Sequence, residues 1–343
     1  MDSKQNINLE EAFPLYLLSE KGSPSCERMA QVLWISWDMI INFLKKVELK
    51  WEDLYKRIEN KIDSKIGWIL AVDDTVQDRL RSYESKNDLV CQHYSGNHKS
   101  IVNGVDIVTL FWVQWDQRVP LTFRIYTRYW EKTKHDLLRE MVDEVLSWWF
   151  KPSLVSADNF YATNENIAML IQKRIGVFMG VKSNRLTRDI DAFEKSRNYV
   201  AICEQSIPSE WRMLHVKGIW LMKVFVFDDR YYVYHSWKDE TKNDYEETHK
   251  LTREEAEVIH RWHWCIEEYH RAMKQLCNLE WMIFRQKNQI VNQIFYAIFS
   301  YCLLEFTRIN QWLKSRYACV SNQTIESTQN LFNKMSIIDL CII

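Results

Sequence analysis

The order of short apolar runs and amphipathic stretches between Trp68 and Val181 constrains the fold of this chain more than any other feature. Trp68 to Val72 (WILAV) is a brief, uninterrupted apolar run, and such a run reads as a strand buried on both faces. It ends in Asp73-Asp74-Thr75. Two longer β-rich runs follow, Ile101 to Val113 and Val119 to Tyr126, and the intervening QWDQR marks a hairpin turn. Lys132 to Phe150 then carries Leu138, Met141, Val145 and one of Trp148 or Trp149 at helical spacing, with Pro152 as its stop. SLVSA (Ser153 to Ala157) is another buried strand and leads into Asp158. Thr163 caps a helix from about Asn164 to Lys173, and Gly176 to Val181 is a fifth strand.

The resulting order, β, β, β, α, β, α, β with carboxylates after strands one and four, is the ribonuclease H-like order. The fold class expected is therefore α/β, with a ribonuclease H-like core. In that arrangement strands one and four are neighbours, so Asp73 and Asp158 meet despite their separation in sequence. From Asn184 the pattern loosens and then alternates again, with Lys223–Phe227 and Tyr231–His235 forming a hairpin turned at Asp228-Asp229-Arg230. This predicts a β-rich insertion over residues 184–247, placed within a catalytic core made of residues 66–183 and 248–290. Beyond it, helices over Gln289–Trp312 and Gln323–Asn333 and an apolar tail, Ser336–Ile343, make a helical C-terminal region, 291–343.

Residues 1–65 read as an all-helical domain. Ser23 or Ser25 caps a helix through CERMAQVLW, and a second helix runs from Ser36 through WDMIINFLKK after a tight joint at Trp34-Ile35-Ser36. A short helix, a tight turn and a second helix ending in Lys45-Lys46 suits a helix-turn-helix whose second helix enters a DNA groove.

Composition narrows the functional classes. The 45 basic and 46 acidic residues nearly cancel, so contact with nucleic acid would have to come from local patches. With 7 Gly and 5 Pro and no GxxxxGK[ST] or GxGxxG pattern, glycine-loop nucleotide chemistry is set aside and no nucleotide cofactor is expected. The eight cysteines lack any CxxC pair, which fits reduced core residues and not zinc ligands or a disulfide frame. No run of 18 uncharged apolar residues and no basic, apolar, small-residue leader is present, so neither membrane spanning nor export is expected.

The stretch Ile259–Leu276 (IHRWHWCIEEYHRAMKQL) carries two helical files. Trp262, Ile266, Tyr269, Met273 and Leu276 stack on one stripe that should be buried. About 100° around the helix lie His260, His263, Glu267, Arg271 and Lys274. Taken alone, this file would be a solvated face with i,i+4 pairs. Beside Asp73 and Asp158, however, Glu267 completes a set of three carboxylates suited to a two-metal phosphoryl-transfer site, because Mg²⁺ prefers carboxylate oxygens and paired ions clamp the attacking and leaving oxygens.

These motifs resemble those of the DDE transposases of prokaryotic insertion sequences, in particular the group with a β-rich insertion before the glutamate and a Tyr, Arg, Glu, Lys signature around it. VDDT (Val72–Thr75) is similar to the first motif and selects Asp73 over Asp74, SADNFYA (Ser156–Ala162) is similar to the second at Asp158, and HWCIEEYHRAMKQ (His263–Gln275) is similar to the third, with Glu267 and Lys274 matching directly. Two positions depart: His260 stands where the group has tyrosine and His263 where it has arginine, with Arg261 and Arg271 close by. The resemblance, which covers about residues 65–310, implies Asp73, Asp158 and Glu267 as metal-holding catalytic residues for two Mg²⁺ ions, with Mn²⁺ as a substitute. Lys274, Arg271, His263, His260 and Arg261, together with Lys45 and Lys46, would contact DNA. It further implies cleavage at transposon ends, transfer of the freed 3′-hydroxyl into target duplex, a homodimer on paired ends, and a cytoplasmic, nucleoid-associated setting. A transposase-derived protein that binds without cutting, and a ribonuclease H-like nuclease without strand transfer, are the alternatives.

Overall fold

The computed structural model describes residues 7–20, 24–79, 88–95, 98–190, 198–219, 221–236, 244–281 and 284–322 of the 343-residue chain. The expected helix at Gln323–Asn333 and the apolar tail lie outside these. Packing divides the chain into two compact units, one built from Ile62–Glu84 and Asp88–Glu268 and the other from Met1–Lys61, Ser85–Asn87 and Tyr269–Ile343.

The first unit is organised by one large sheet. Its strands are β1 (Ile69–Asp78), β2 (Cys91–Ser95), β3 (Ser100–Gln114), β4 (Gln117–Tyr126), β5 (Leu154–Ala157), β6 (Gly176–Val181), β7 (Leu186–Asp189), β8 (Val200–Ala201), β9 (Arg212–Val216), β10 (Leu221–Phe227) and β11 (Arg230–His235). They follow the order β2-β3-β1-β5-β6-β11-β10-β9-β7-β8, with β4 also paired to β3. The run β4-β3-β1-β5-β6, antiparallel through β1 and parallel from β1 to β6, is the ribonuclease H-like core. Ile69 to Val72 are all essentially inaccessible, as a strand covered on both faces requires.

β1 is longer than its apolar run. Its parallel partner β5 stops at Val72↔Ala157, but β3 continues alongside it to Asp78↔Gly104. Asp73 and Asp158 therefore sit just past the last parallel rung, where one side of β1 is uncovered while the other remains tied.

The β3–β4 hairpin turns at Trp115 (φ 43°), and β4 accommodates Pro120 at a register shift opposite Leu110/Phe111, the kind of site where a residue without an N–H is tolerated. The β10–β11 hairpin has a two-residue turn with positive φ at both Asp228 (48°) and Asp229 (59°). That backbone matches the strand twist, and aspartate tolerates it better than most residues. The β-rich insertion thus does not form a separate sheet: β11 pairs antiparallel with β6 and extends the core sheet.

Helices α5 (Lys134–Ser147), α6 (Asn164–Gln172) and α7 (Asp244–Lys250) belong to this unit. The Thr133 hydroxyl accepts from the Asp136 N–H at 3.2 Å, while the Asp136 carboxylate accepts from the Thr133 N–H at 2.8 Å, a reciprocal cap. Leu138, Met141 and Val145 face the core as expected. The residue that closes this face is Phe150, packed edge-on against Trp112 at 5.0 Å, whereas Trp149 is 79% exposed. α5 has already ended at Ser147, before Pro152, and Trp149 adopts a left-handed φ of 68°.

The second unit contains α1 (Leu9–Ser19), α2 (Cys26–Leu33), α3 (Trp37–Lys46), α4 (Trp51–Ile58) and α9 (Lys287–Asn310). Ser25 caps α2, Ser36 caps α3, and Trp34 (φ 55°) makes the tight joint between them. The N-terminal helices and α9, far apart in sequence, share one core. Tyr296 of α9 packs against Phe13 at 5.4 Å and Phe43 at 5.7 Å. The Asn292 amide donates to the carbonyls of Leu44 (2.8 Å) and Val47 (2.7 Å), satisfying the end of α3. Among the described residues, α9 alone is long and apolar enough to cross a membrane, yet 72% of its most apolar window is buried within the protein. It has the all-round apolar surface of a core helix. α8 (Arg253–Gln275) begins in the first unit and ends in the second.

Candidate active site

The site starts from a local rule: successive side chains on a strand point to opposite faces. Asp73 and Asp74 therefore diverge. Asp73, with Asp158, Glu267 and Glu268, lines a cleft of about 1540 Å³. Carboxylate oxygens of Asp73 and Glu267 lie within 4.8 Å of each other. Asp158 follows Ala157, the rung partner of Val72, so register brings it beside Asp73. The structure thus places Asp73, Asp158 and Glu267 along one cleft.

Electrostatics mark the same place. Desolvation pushes the Asp73 carboxyl well above the usual carboxylate range, reinforced by the charges of Asp74, Glu267 and Asp158. Asp158 is also raised, first by burial and then by Asp74, with opposition from the N–H groups of Phe160 and Tyr161. Phe160 N–H donates to Asp158 Oδ1 at 3.0 Å and fixes the carboxylate's orientation. Hard oxygen donors crowded until they resist ionisation are a fit environment for a divalent cation, whose charge would relieve the crowding.

Asp74 faces a different, polar interior. Its Oδ1 accepts from the Tyr161 hydroxyl at 2.8 Å, and its Oδ2 from Lys134 Nζ at 2.7 Å. Lys134 also pairs with Asp106 of β3 at 2.5 Å. Asp74 is thus engaged by Tyr161 and Lys134, while Asp73 faces the cleft.

On α8 the buried stripe is Ala256, Ile259, Ile266, Tyr269 and Met273; Trp262, and Leu276 just past the helix end, are only half-buried. Trp262 nevertheless leans on Trp68 at 6.1 Å, and Trp68 on Trp115 at 5.0 Å. His260 packs parallel to Phe227 at 5.1 Å and edge-on to Tyr232 at 4.8 Å, and its Nε2 lies 3.0 Å from the Tyr232 hydroxyl. Burial lowers the pKa of His260, and it lowers that of His263 to about 4, with His260 opposing further charge. Both are neutral near pH 7. His260 fastens α8 to the β10–β11 hairpin.

Arg261 and Arg271 are exposed, as are Lys45 and Lys46 at the end of α3. Lys274 pairs with Glu280 at 2.8 Å, and Arg118 with Glu268 at 3.3 Å. The cleft also receives Arg118, Asn159, Lys182 and Arg230, which sequence reasoning did not select. They come from the start of β4, the segments after β5 and β6, and the start of β11, and no spacing in the sequence unites them.

A ribonuclease H-like sheet with acidic side chains gathered where the parallel pairing of β1 and β5 ends defines the class of this protein. Residues 117–303, more than half of the chain, match the family described as the transposase DDE domain, and the chain belongs to that family. The matched segment contains Asp158 and Glu267, and Asp73 precedes it. Among solved structures, the piggyBac transposase in a synaptic complex with hairpin DNA is similar over 94% of this chain and 72% of its own, with 15% identity and a TM-score of 0.51. The Drosophila P element transposase strand transfer complex aligns over 58% of this chain and 41% of its own, with 12% identity and a TM-score of 0.27. A search of curated proteins gave no match.

Proposed function

We propose that this protein is a metal-dependent transposase that cleaves DNA at transposon ends and joins the freed 3′-hydroxyl to target duplex. The observation that carries this reading is the shared cleft of Asp73, Asp158 and Glu267, with the first and last within 4.8 Å of each other. These three would hold divalent ions, Mg²⁺ with Mn²⁺ as a substitute, which supply Lewis acidity toward a phosphodiester and neutralise charge developing on it. The chain's own cations do the positioning. Arg118, Lys182, Arg230 and Arg261 line the cleft and are placed to receive backbone phosphates, contacts that set register but carry no sequence. Neutral His260 and His263 add no charge to that grip. Arg261 and Arg271 supply it on α8, and Lys274 does so when released from Glu280.

Recognition of terminal repeats is assigned to the α2–turn–α3 segment, with Lys45 and Lys46 on phosphate. Membership of the insertion-sequence group is supported by the β-rich segment between β6 and α8 and by the Glu267–Lys274 spacing. A homodimer on paired ends and a nucleoid-associated setting belong to the same reading, as does a hairpin intermediate, the DNA form held by the piggyBac relative. A labelled duplex taken from the inverted repeats flanking the gene, incubated with protein and Mg²⁺, tests it. Nicks at the repeat boundary with wild type and none with Asp158→Ala, both binding the duplex, are expected. Equal absence of nicks while both bind would establish a non-cutting DNA-binding protein.

A further inference from the structure

Asp73 and Asp158 stand where the backbone ceases to hold them together, since the last parallel rung is Val72↔Ala157. Like charges pressed into one cleft drive such strand ends apart. What spans this gap is a side-chain tie one residue from Asp73 and three from Asp158. The Tyr161 hydroxyl donates to Asp74 Oδ1 at 2.8 Å, joining the end of β1 to the β5–α6 connection. Tyr161 is fully buried, and its carbonyl accepts from the Asn166 amide at 2.9 Å, which anchors it to α6. Asp74 is anchored in turn: Lys134 Nζ, at the first position of α5, reaches Asp74 Oδ2 at 2.7 Å and Asp106 Oδ2 at 2.5 Å. Asp106 pairs with Val76 across the β1–β3 ladder, on the same face as Asp74, so Lys134 cancels a repulsion that would otherwise strain β1. The His93 Nδ1 is 3.3 Å from Asp106 Oδ2 and closes the cluster.

We propose that Tyr161, through Asp74, is a positioning residue that sets the separation of Asp73 and Asp158 and thereby the affinity of the site for divalent cations. The inference rests on the metal-dependent reading above and extends it to residues that never touch metal or DNA. Tyrosine serves because its ring fills the core while its hydroxyl reaches the carboxylate. Phenylalanine at 161 would keep the packing, change no charge and remove only the tie.

The test is Mn²⁺ binding to the full chain without DNA, read as loss of the free-ion electron paramagnetic resonance signal, together with thermal unfolding. Tyr161→Phe is expected to weaken Mn²⁺ binding about tenfold, while its unfolding temperature falls no further than that of Tyr301→Phe, another buried tyrosine. Unchanged Mn²⁺ affinity in Tyr161→Phe overturns the positioning role and leaves the metal site standing. Wild type that binds Mn²⁺ no better than Asp73→Ala overturns the metal-dependent reading and this inference with it.

Discussion

Replacing Asp73 with asparagine should stabilise the metal-free protein while destroying its activity. Carboxylate oxygens of Asp73 and Glu267 lie within 4.8 Å, and two full charges at that distance repel by about 3 kcal/mol at an effective dielectric of ~20. Solvent screening at exposed Glu267 and protonation of Asp73 relieve part of this. Asp73→Asn is therefore expected to gain about 1–2 kcal/mol, a rise in unfolding temperature on the order of 5 °C for a unit of this size. The pH dependence has a definite sign. Because the folded pKa of Asp73 lies above its unfolded value, the folded state holds the proton more tightly, so stability falls as pH rises from the unfolded pKa through the folded one. Wild type in chelator should show that decline, and Asp73→Asn should lack Asp73's share of it. Differential scanning calorimetry across pH, with and without Mg²⁺, reads both effects. An Asp73→Asn protein that unfolds at or below the wild-type temperature in chelator would refute the reasoning.

Other outcomes follow from the same structure. Met141→Ala, in the fully buried face of α5, should destabilise the sheet unit by about 2–5 kcal/mol in urea unfolding. The pKa of His263 is depressed to about 4, so its contribution to stability is present above the unfolded value of ~6.5 and is lost as pH falls toward 4. His263→Gln should flatten that acid limb in pH-dependent unfolding. It should also leave DNA cleavage between pH 7 and 8 within a few-fold of wild type, because the imidazole carries no charge there.

Much of the core was legible because strands covered on both faces leave continuous apolar runs: WILAV, SLVSA and Gly176–Val181 identify themselves. The length of β1 was not legible, since its polar half is held by pairing with β3 and not by its own composition. Alternation marked the β10–β11 hairpin, but a period of two does not say which edge a strand joins, and β11's attachment to β6 came only with the fold. The helical unit posed the same difficulty. Capping residues at Ser25 and Ser36 announced α2 and α3, while the packing of Phe13 and Phe43 on Tyr296 joins parts of the chain that no local pattern connects. At the candidate site, the three carboxylates were readable from motif and strand order. The behaviour of His260 and His263 was not, because it depends on Phe227 and Tyr232 arriving from the hairpin. Arg118, Arg230 and Lys182 were not legible for a related reason, being scattered over the starts and ends of separate strands.

The central claim is that Asp73, Asp158 and Glu267 act as one site. Its most direct test is the single-turnover rate of Mg²⁺-dependent nicking of a terminal-repeat duplex, measured at saturating protein for wild type, Asp73→Asn, Asp158→Asn and Glu267→Gln. The account predicts that each substitution lowers the rate by at least ~10³, the order expected when an electrostatic element of a catalytic site is removed, with duplex binding retained. Any one of the three cutting within tenfold of wild type would contradict it.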